Sequence, residues 1–116
     1  MCLFTYWNKF RYAWRGLSYV FRRERSFRLE LAVALLAVLM GWRLNFSLQA
    51  WALLALTCAV VLAAEVVNTA LERLLDLVEP RLSLHIAFLK DLLAAAVLLL
   101  ALGSLVVGWL LVVEHL

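Results

Sequence analysis

The chain has 116 residues, of which 67% are hydrophobic and 16% are charged. Soluble domains are about 45–50% apolar, so this composition excludes an ordinary soluble domain and favours one membrane domain, residues 1–116. The formal net charge is +3, and seven of the eleven Lys and Arg lie in the first 28 residues. A basic segment beside apolar spans is typical of contact with anionic lipid headgroups, and no nucleic-acid partner is expected.

Residues 4–21 are predicted to form an amphipathic helix that lies in the membrane interface. Apolar side chains recur at three- and four-residue spacing, at Trp7, Phe10, Trp14, Leu17 and Phe21, whereas cationic residues fall on another face. Aromatic residues opposite cations suit a helix at the bilayer surface. A helix packed against other protein is the alternative.

Three membrane-spanning helices are predicted, at residues 26–44, 48–78 and 90–113, and the fold class is therefore all-α integral membrane. Residues 48–64 and 92–113 carry no charge. The second span is about 46 Å long at 1.5 Å per residue, so its last turns are expected to project into water before the connection at 79–89. Basic residues predominate before the first span and around that connection, which predicts a cytoplasmic N-terminus and a C-terminus outside.

Four polar residues share one face of the second span. Glu65, Asn68, Glu72 and Asp76 are three, four and four residues apart, the spacing that aligns side chains on a helix. A carboxylate at the membrane boundary is costly, so a functional site is the default interpretation of Glu65 and Glu72. Asp76 also fits a simpler role, an ion pair with an arginine such as Arg73.

Two further charged groups flank the spans. Glu24, Arg28 and Glu30 precede or enter the first span, and Glu24 with Arg28 also fits a plain surface ion pair. Lys90 and Asp91 begin the third span, where Asp91 also suits the positive end of the helix dipole. A lysine near several carboxylates is what phosphate and metal chemistry requires.

These motifs together resemble the prokaryotic diacylglycerol kinase family, which includes undecaprenol kinases. The strongest match is the stretch Glu65-Val-Val-Asn68-Thr-Ala-Leu-Glu72-Arg-Leu-Leu-Asp76. Residues 14–17, residues 23–30 and the Lys90-Asp91 pair match in the same order, so the likeness covers almost the whole chain. The resemblance implies a homotrimer of three-span subunits in the bacterial inner membrane, with shared active sites at the cytoplasmic boundary.

The resemblance also implies an activity, the transfer of the γ-phosphate of ATP to the hydroxyl of a membrane lipid alcohol with Mg²⁺. Diacylglycerol and undecaprenol are the two substrates it implies. Carried onto matching positions, it gives these roles: Glu65 as general base with Asn68 in support; Glu24 and Glu72 at Mg²⁺ and the ATP phosphates; Lys90 and Asp91 at the nucleotide; and Arg28 and Glu30 shaping the site.

The chain departs from the family pattern beside Lys90. Phe88-Leu89 and Leu92-Leu93 stand where the family has smaller or basic residues, which adds bulk near the expected nucleotide site.

Two other functions remain open from the residues alone. A small cation- or proton-coupled transporter or channel subunit would also use intramembrane acids, although the polar residues here cluster at one boundary. A non-catalytic membrane regulator is the second of these two alternatives. His85 and His115 have no partner at ligand spacing.

Overall fold

The computed structural model describes residues 2–78 and 83–116, and this part of the chain consists of four α-helices without a β-strand. The helices are α1 (Cys2–Arg23), α2 (Arg25–Arg43), α3 (Leu48–Val78) and α4 (Ser83–His115). The range of α3 is the one predicted for the second span. α1 extends the predicted 4–21 by two residues at each end.

The beginning of α4 differs from the prediction. The helix starts at Ser83, seven residues before the predicted 90, so part of the expected 79–89 connection is helical. Residues 84–89 are mostly apolar, and Ile86 is 2% exposed, so packing of this turn favours helix over a solvated loop. The rest of the connection, residues 79–82, lies outside the described residues.

α3 is the central helix of the bundle. It packs along both α2 and α4, and α1 contacts α2 and α3. The main buried apolar cluster lies where α2 turns into α3 and where α4 ends, and we call it the Phe46 end. Its four buried members are Phe46, Ala50, Leu54 and Leu111.

The turn between α2 and α3 is a Schellman motif. The amide of Phe46 donates to the carbonyl of Gly41 at 3.0 Å, and the amide of Asn45 donates to the carbonyl of Trp42 at 3.4 Å. Asn45 has φ 55, the left-handed conformation that this motif requires and that asparagine adopts more readily than most residues. The motif satisfies the last carbonyls of α2 and directs Phe46 back over Gly41.

His115 joins the last turn of α4 to the first turn of α3. The amide of Ser47 donates to His115 Nε2 at 3.2 Å, so Nδ1 carries the ring proton and donates to the carbonyl of Leu111 at 2.8 Å. The imidazole also packs on the Phe46 ring, with centroids 4.6 Å apart. Ser47 in turn accepts the Ala50 amide at 3.2 Å through its hydroxyl, which caps α3.

Two helices of the described chain are long and apolar enough to cross a membrane, Leu48–Val78 and Leu84–His115. Their large apolar side chains remain exposed, with Leu56 at 62% and Leu99 at 70%. A lipid environment covers such a surface without cost, and the chain is membrane-associated. α2 falls short of the same test because four charged residues lie within its 19 residues: Arg25, Arg28, Glu30 and Arg43.

Candidate functional site

Seven charged residues from the α1–α2 junction, α2, α3 and α4 gather around the part of α3 that begins at Glu65, about 25 Å along the helix from its first residue, Leu48. We call this region the carboxylate end. Its acidic members are Glu24, Glu30, Glu65, Glu72 and Asp76, and its basic members are Arg73 and Lys90. These residues come from α2, α3, α4 and the junction before α2, and packing of α2 and α4 against α3 brings them together.

Glu24 occupies the break between α1 and α2. It is the one residue between the two helices, with extended backbone angles φ −109 and ψ 114. Its amide donates to the Val20 carbonyl at 2.8 Å, and its carbonyl accepts the Arg28 amide at 3.4 Å. Glu24 therefore ends one helix and begins the next, and its carboxylate lies beside α3, 3.4 Å from Arg73.

Glu65 is buried, at 4% exposure, in the middle of α3. Its Oε2 accepts a hydrogen bond from the Ser26 hydroxyl at 3.4 Å, and its carbonyl accepts the Thr69 hydroxyl at 2.9 Å. Within the described residues, no Lys, Arg or His forms an ion pair with Glu65. A buried carboxylate without a cation costs folding free energy, which marks this residue as one kept for chemistry.

Three more carboxylates act electrostatically on Glu65, namely Glu30, Glu24 and Glu72. Like charges brought together at low dielectric repel one another. Such a cluster attracts a proton or a cation, because either one relieves the repulsion. The cluster therefore has the chemistry for proton transfer or for binding a positive ion.

Asn68 lies beside Glu72 on the same face of α3. Its side-chain nitrogen donates to Glu72 Oε1 at 3.3 Å. Its Oδ1 is buried and has no hydrogen-bond partner among the described residues. Buried polar atoms are satisfied in the great majority of cases, so this oxygen is an acceptor left available for a further group.

Lys90 and Asp91 differ in their contacts. Lys90 Nζ lies 2.6 Å from Asp76 Oδ1, which ties the start of α4 to α3. Asp91 is exposed. The structure gives it no side-chain hydrogen bond or ion pair to any residue it describes. Phe88 and Leu89 are also exposed, at 61% and 43%, so their bulk does not fill the space among the described helices.

Arg28 turns away from the carboxylates. Its Nη1 donates to the carbonyls of Phe21 at 2.9 Å and Arg22 at 3.1 Å. These carbonyls belong to the last turn of α1, where the helix itself offers no partner. Arg28 thus braces the α1–α2 junction, at which Glu24 lies.

The carboxylate end offers oxygen ligands but no large metal-binding cluster among the residues that the structure describes. In residues 2–78 and 83–116, no group of three or more His, Cys, Asp or Glu is arranged to hold a metal ion. Mg²⁺ needs fewer protein ligands than that, because it is usually bound through one or two carboxylates together with substrate phosphates. The oxygens of Glu24, Glu72 and Asn68 therefore fit a magnesium ion that arrives with a nucleotide.

An apolar groove begins at Glu30 and runs between α2, α3 and α4 towards the Phe46 end. Its volume is about 420 Å³, and its walls include Val33, Leu105 and Trp109. The two hydroxyls of the groove are already satisfied within their own helices, because Thr57 donates to Leu53 and Ser104 to Ala101. The groove thus offers apolar surface to a hydrocarbon chain next to an acidic cluster.

The sequence analysis missed several residues that contact the predicted site. Thr69 lies four residues after Glu65, and this spacing was the one signal available for it. Ser26 and Tyr19 contact α3 across 39 and 54 residues of sequence, and no local pattern indicates such a pairing. Arg73 was considered only as a partner for the acidic stripe.

Comparison with known proteins gives a consistent answer. The family model described as prokaryotic diacylglycerol kinase matches residues 11–112. The chain is 39% identical over 100 residues to a diacylglycerol kinase of Synechocystis sp., which covers 85% of this chain and 57% of the relative. It is 29% identical over 105 residues to an undecaprenol kinase of Bacillus subtilis, which covers 90% and 85% respectively. The chain thus spans little more than half of the Synechocystis protein. No solved structure matches it significantly.

Proposed function

This chain belongs to the prokaryotic diacylglycerol kinase family, and from that premise we propose that it is a lipid kinase. It transfers the γ-phosphate of ATP to the hydroxyl of a membrane lipid alcohol and releases a lipid phosphate and ADP. The two relatives are named for diacylglycerol and undecaprenol, and these are the two candidate acceptors. The transporter and regulator alternatives have no support from these relatives.

The observation that carries this proposal is the environment of Glu65. Its carboxylate is buried, accepts only the neutral hydroxyl of Ser26 and faces three other acids. A carboxylate so placed gains from accepting a proton, which is the task of a general base towards an alcohol. The lipid hydroxyl gives its proton to Glu65 while the lipid oxygen bonds to the γ-phosphorus. The bond between the γ-phosphorus and the ADP oxygen breaks, and ADP leaves.

The neighbours of Glu65 supply positions rather than further proton transfers. Asn68 orients Glu72 through its amide, and Glu24 and Glu72 would hold Mg²⁺, which neutralises charge on the ATP phosphates when it is bound. Lys90 and Asp91 would contact the nucleotide at the start of α4. Arg28 and Glu30 shape the site, Arg28 by bracing the α1–α2 junction and Glu30 at the mouth of the apolar groove.

The proposal extends to the membrane arrangement. α1 lies in the interface with its exposed aromatic residues towards lipid, and α2 is the first of three spans, about 28 Å long for its 19 residues. The carboxylate end then faces the cytoplasm of the bacterial inner membrane, and the chain ends outside. An exposed Asp91 agrees with a homotrimer in which neighbouring subunits complete each nucleotide site.

The test is phosphate transfer from radiolabelled ATP by the purified protein in lipid micelles with Mg²⁺, with diacylglycerol and undecaprenol offered in parallel. Transfer to one of them, lost in the Glu65→Gln variant, supports the proposal. The matched control is Glu114→Gln, because Glu114 is an exposed carboxylate near the Phe46 end. Transfer that survives equally in both variants would remove Glu65 as the base, and no transfer to either lipid by the folded protein would contradict the lipid kinase.

A further inference from the structure

Arg73 has a role that no motif gives it. Each of its three guanidinium nitrogens has its own partner. Nε donates to the Tyr19 hydroxyl at 3.1 Å, one terminal nitrogen lies 3.4 Å from Glu24 Oε1, and the other lies 3.9 Å from Asp76 Oδ2. The guanidinium group also lies over the Tyr19 ring, 5.9 Å from its centroid.

These contacts connect α1, α3, α4 and the α1–α2 junction. Tyr19 belongs to α1, Glu24 to the α1–α2 junction, and Arg73 and Asp76 to α3. Asp76 continues the connection to α4 through its 2.6 Å ion pair with Lys90. Arg73 therefore lies between the acid assigned to the metal, Glu24, and the lysine assigned to the nucleotide.

We infer that Arg73, held in place by Tyr19, is a positioning residue that fixes Glu24 and the Asp76–Lys90 pair for nucleotide binding. This inference rests on the proposed kinase function and adds two residues to it. Glu24 acts on Glu65 as a like charge, and the Arg73 cation 3.4 Å from its Oε1 holds the Glu24 carboxylate in one position. Tyr19 uses the one guanidinium nitrogen that the acids do not, so the fork keeps a single orientation.

A lysine cannot replace this arrangement. Its ammonium group is a point charge on a flexible stem, whereas guanidinium is a rigid planar fork with donors in three directions. The Arg73 side chain is 49% exposed, and ion pairs at such exposed positions contribute little to stability. The inference therefore predicts an effect on nucleotide use that is larger than any effect on folding.

The decisive variant is Tyr19→Phe, which removes one hydroxyl and keeps the ring. We expect the KM for MgATP to rise about three- to tenfold, the range for loss of a typical intramolecular hydrogen bond, while kcat stays within about twofold. The matched control is Tyr12→Phe, because Tyr12 also lies against an arginine on α1 and its hydroxyl has no partner among the described residues. Arg73→Lys should show the same KM increase, because a lysine keeps the positive charge but cannot make the three contacts of the guanidinium group.

Three results separate the possible failures. Inactive wild-type protein would overturn the proposed function itself. Active wild-type protein with the same KM in the Tyr19→Phe and Tyr12→Phe variants would overturn the positioning role alone. A lowered unfolding temperature in Tyr19→Phe with unchanged KM would make the contact merely structural. A KM increase in Tyr19→Phe and Arg73→Lys, absent from Tyr12→Phe, supports the inference.

Discussion

The two ends of this helix bundle are held together by different physics. At the Phe46 end, apolar side chains are buried against one another, and the His115 side chain that packs on Phe46 has both ring nitrogens satisfied. At the carboxylate end, acids lie near acids, one amide oxygen lacks a partner, and the ion pairs are a quarter to half exposed. The first end is arranged for stability, and the second end retains unsatisfied groups that a substrate can satisfy.

The contrast predicts that substitutions at the two ends have different effects. Changes at the Phe46 end should lower the free energy of unfolding and leave catalysis intact, whereas changes at the carboxylate end should do the reverse. Four substitutions test the contrast, in decreasing order of expected effect.

The largest effect is expected for Glu65→Gln. Loss of a general base lowers kcat by about 10²–10⁴-fold. The same change removes a buried charge that has no cation, so the unfolding temperature in micelles should stay equal or rise. Phosphate-transfer assays and thermal unfolding by circular dichroism measure the two effects on one preparation. A variant that loses stability along with activity would show that Glu65 is structural, and the contrast would fail at its centre.

Leu54→Ala tests the opposite end. Leu54 is 5% exposed within the buried cluster, and truncation to alanine should cost about 2–4 kcal/mol of unfolding free energy through lost contacts and a cavity. The turnover number of the protein that remains folded should not change by more than about twofold. The measurement is denaturant unfolding beside a kinetic assay, with Leu56→Ala as control because Leu56 is 62% exposed. Equal losses in both variants would contradict the assigned core.

Gly41→Ala adds one methyl group to a position without room for it. A Cβ there would lie 2.9 Å from Phe46 Cδ2 and 2.9 Å from a ring carbon of Trp51. Since two packed rings must shift, the expected cost is about 1–3 kcal/mol. Gly103→Ala is the matched control, because nothing lies within 4 Å of its added Cβ and alanine favours helix. Equal behaviour of the two variants would mean that the Schellman turn tolerates more than its packing indicates.

The smallest effect is expected for His115→Phe, which keeps a ring on Phe46 and removes both ring nitrogens. The Ser47 amide and the Leu111 carbonyl each lose a partner, and the cost is about 1 kcal/mol. Thermal unfolding measures it, and activity should be unchanged. An activity loss without a stability loss would show that this end communicates with the site.

Part of this architecture follows directly from the sequence. The uncharged run from Leu48 predicts α3, and the three- and four-residue spacing of Glu65, Asn68 and Glu72 places them on one face of it. The Asn68 to Glu72 hydrogen bond is the direct result of that spacing. Periodicity and spacing within one helix are local properties, so the sequence carries them in full.

The remaining features depend on how helices pack, and the sequence does not reveal that. Ser26 lies beside Glu65 only because α2 packs on α3, and Tyr19 reaches Arg73 only because the chain breaks at Glu24. His115 offers no motif, and its role comes from the turn that brings Ser47 to it. The sequence does not predict the early start of α4, because the residues before Lys90 read as a connecting segment. The burial of Ile86, which favours helix there, is a property of the fold.

The break at Glu24 has a mechanical consequence. α1 has 22 residues and is about 33 Å long, so a 10° rotation about the break would move its far end by about 6 Å. Glu24 lies at the centre of this rotation and would barely move. The two hydrogen bonds from Arg28 to the end of α1 limit the angle between α1 and α2. In the proposed interfacial position, α1 can thus move at its far end with the bilayer surface while the Glu24 carboxylate keeps its place.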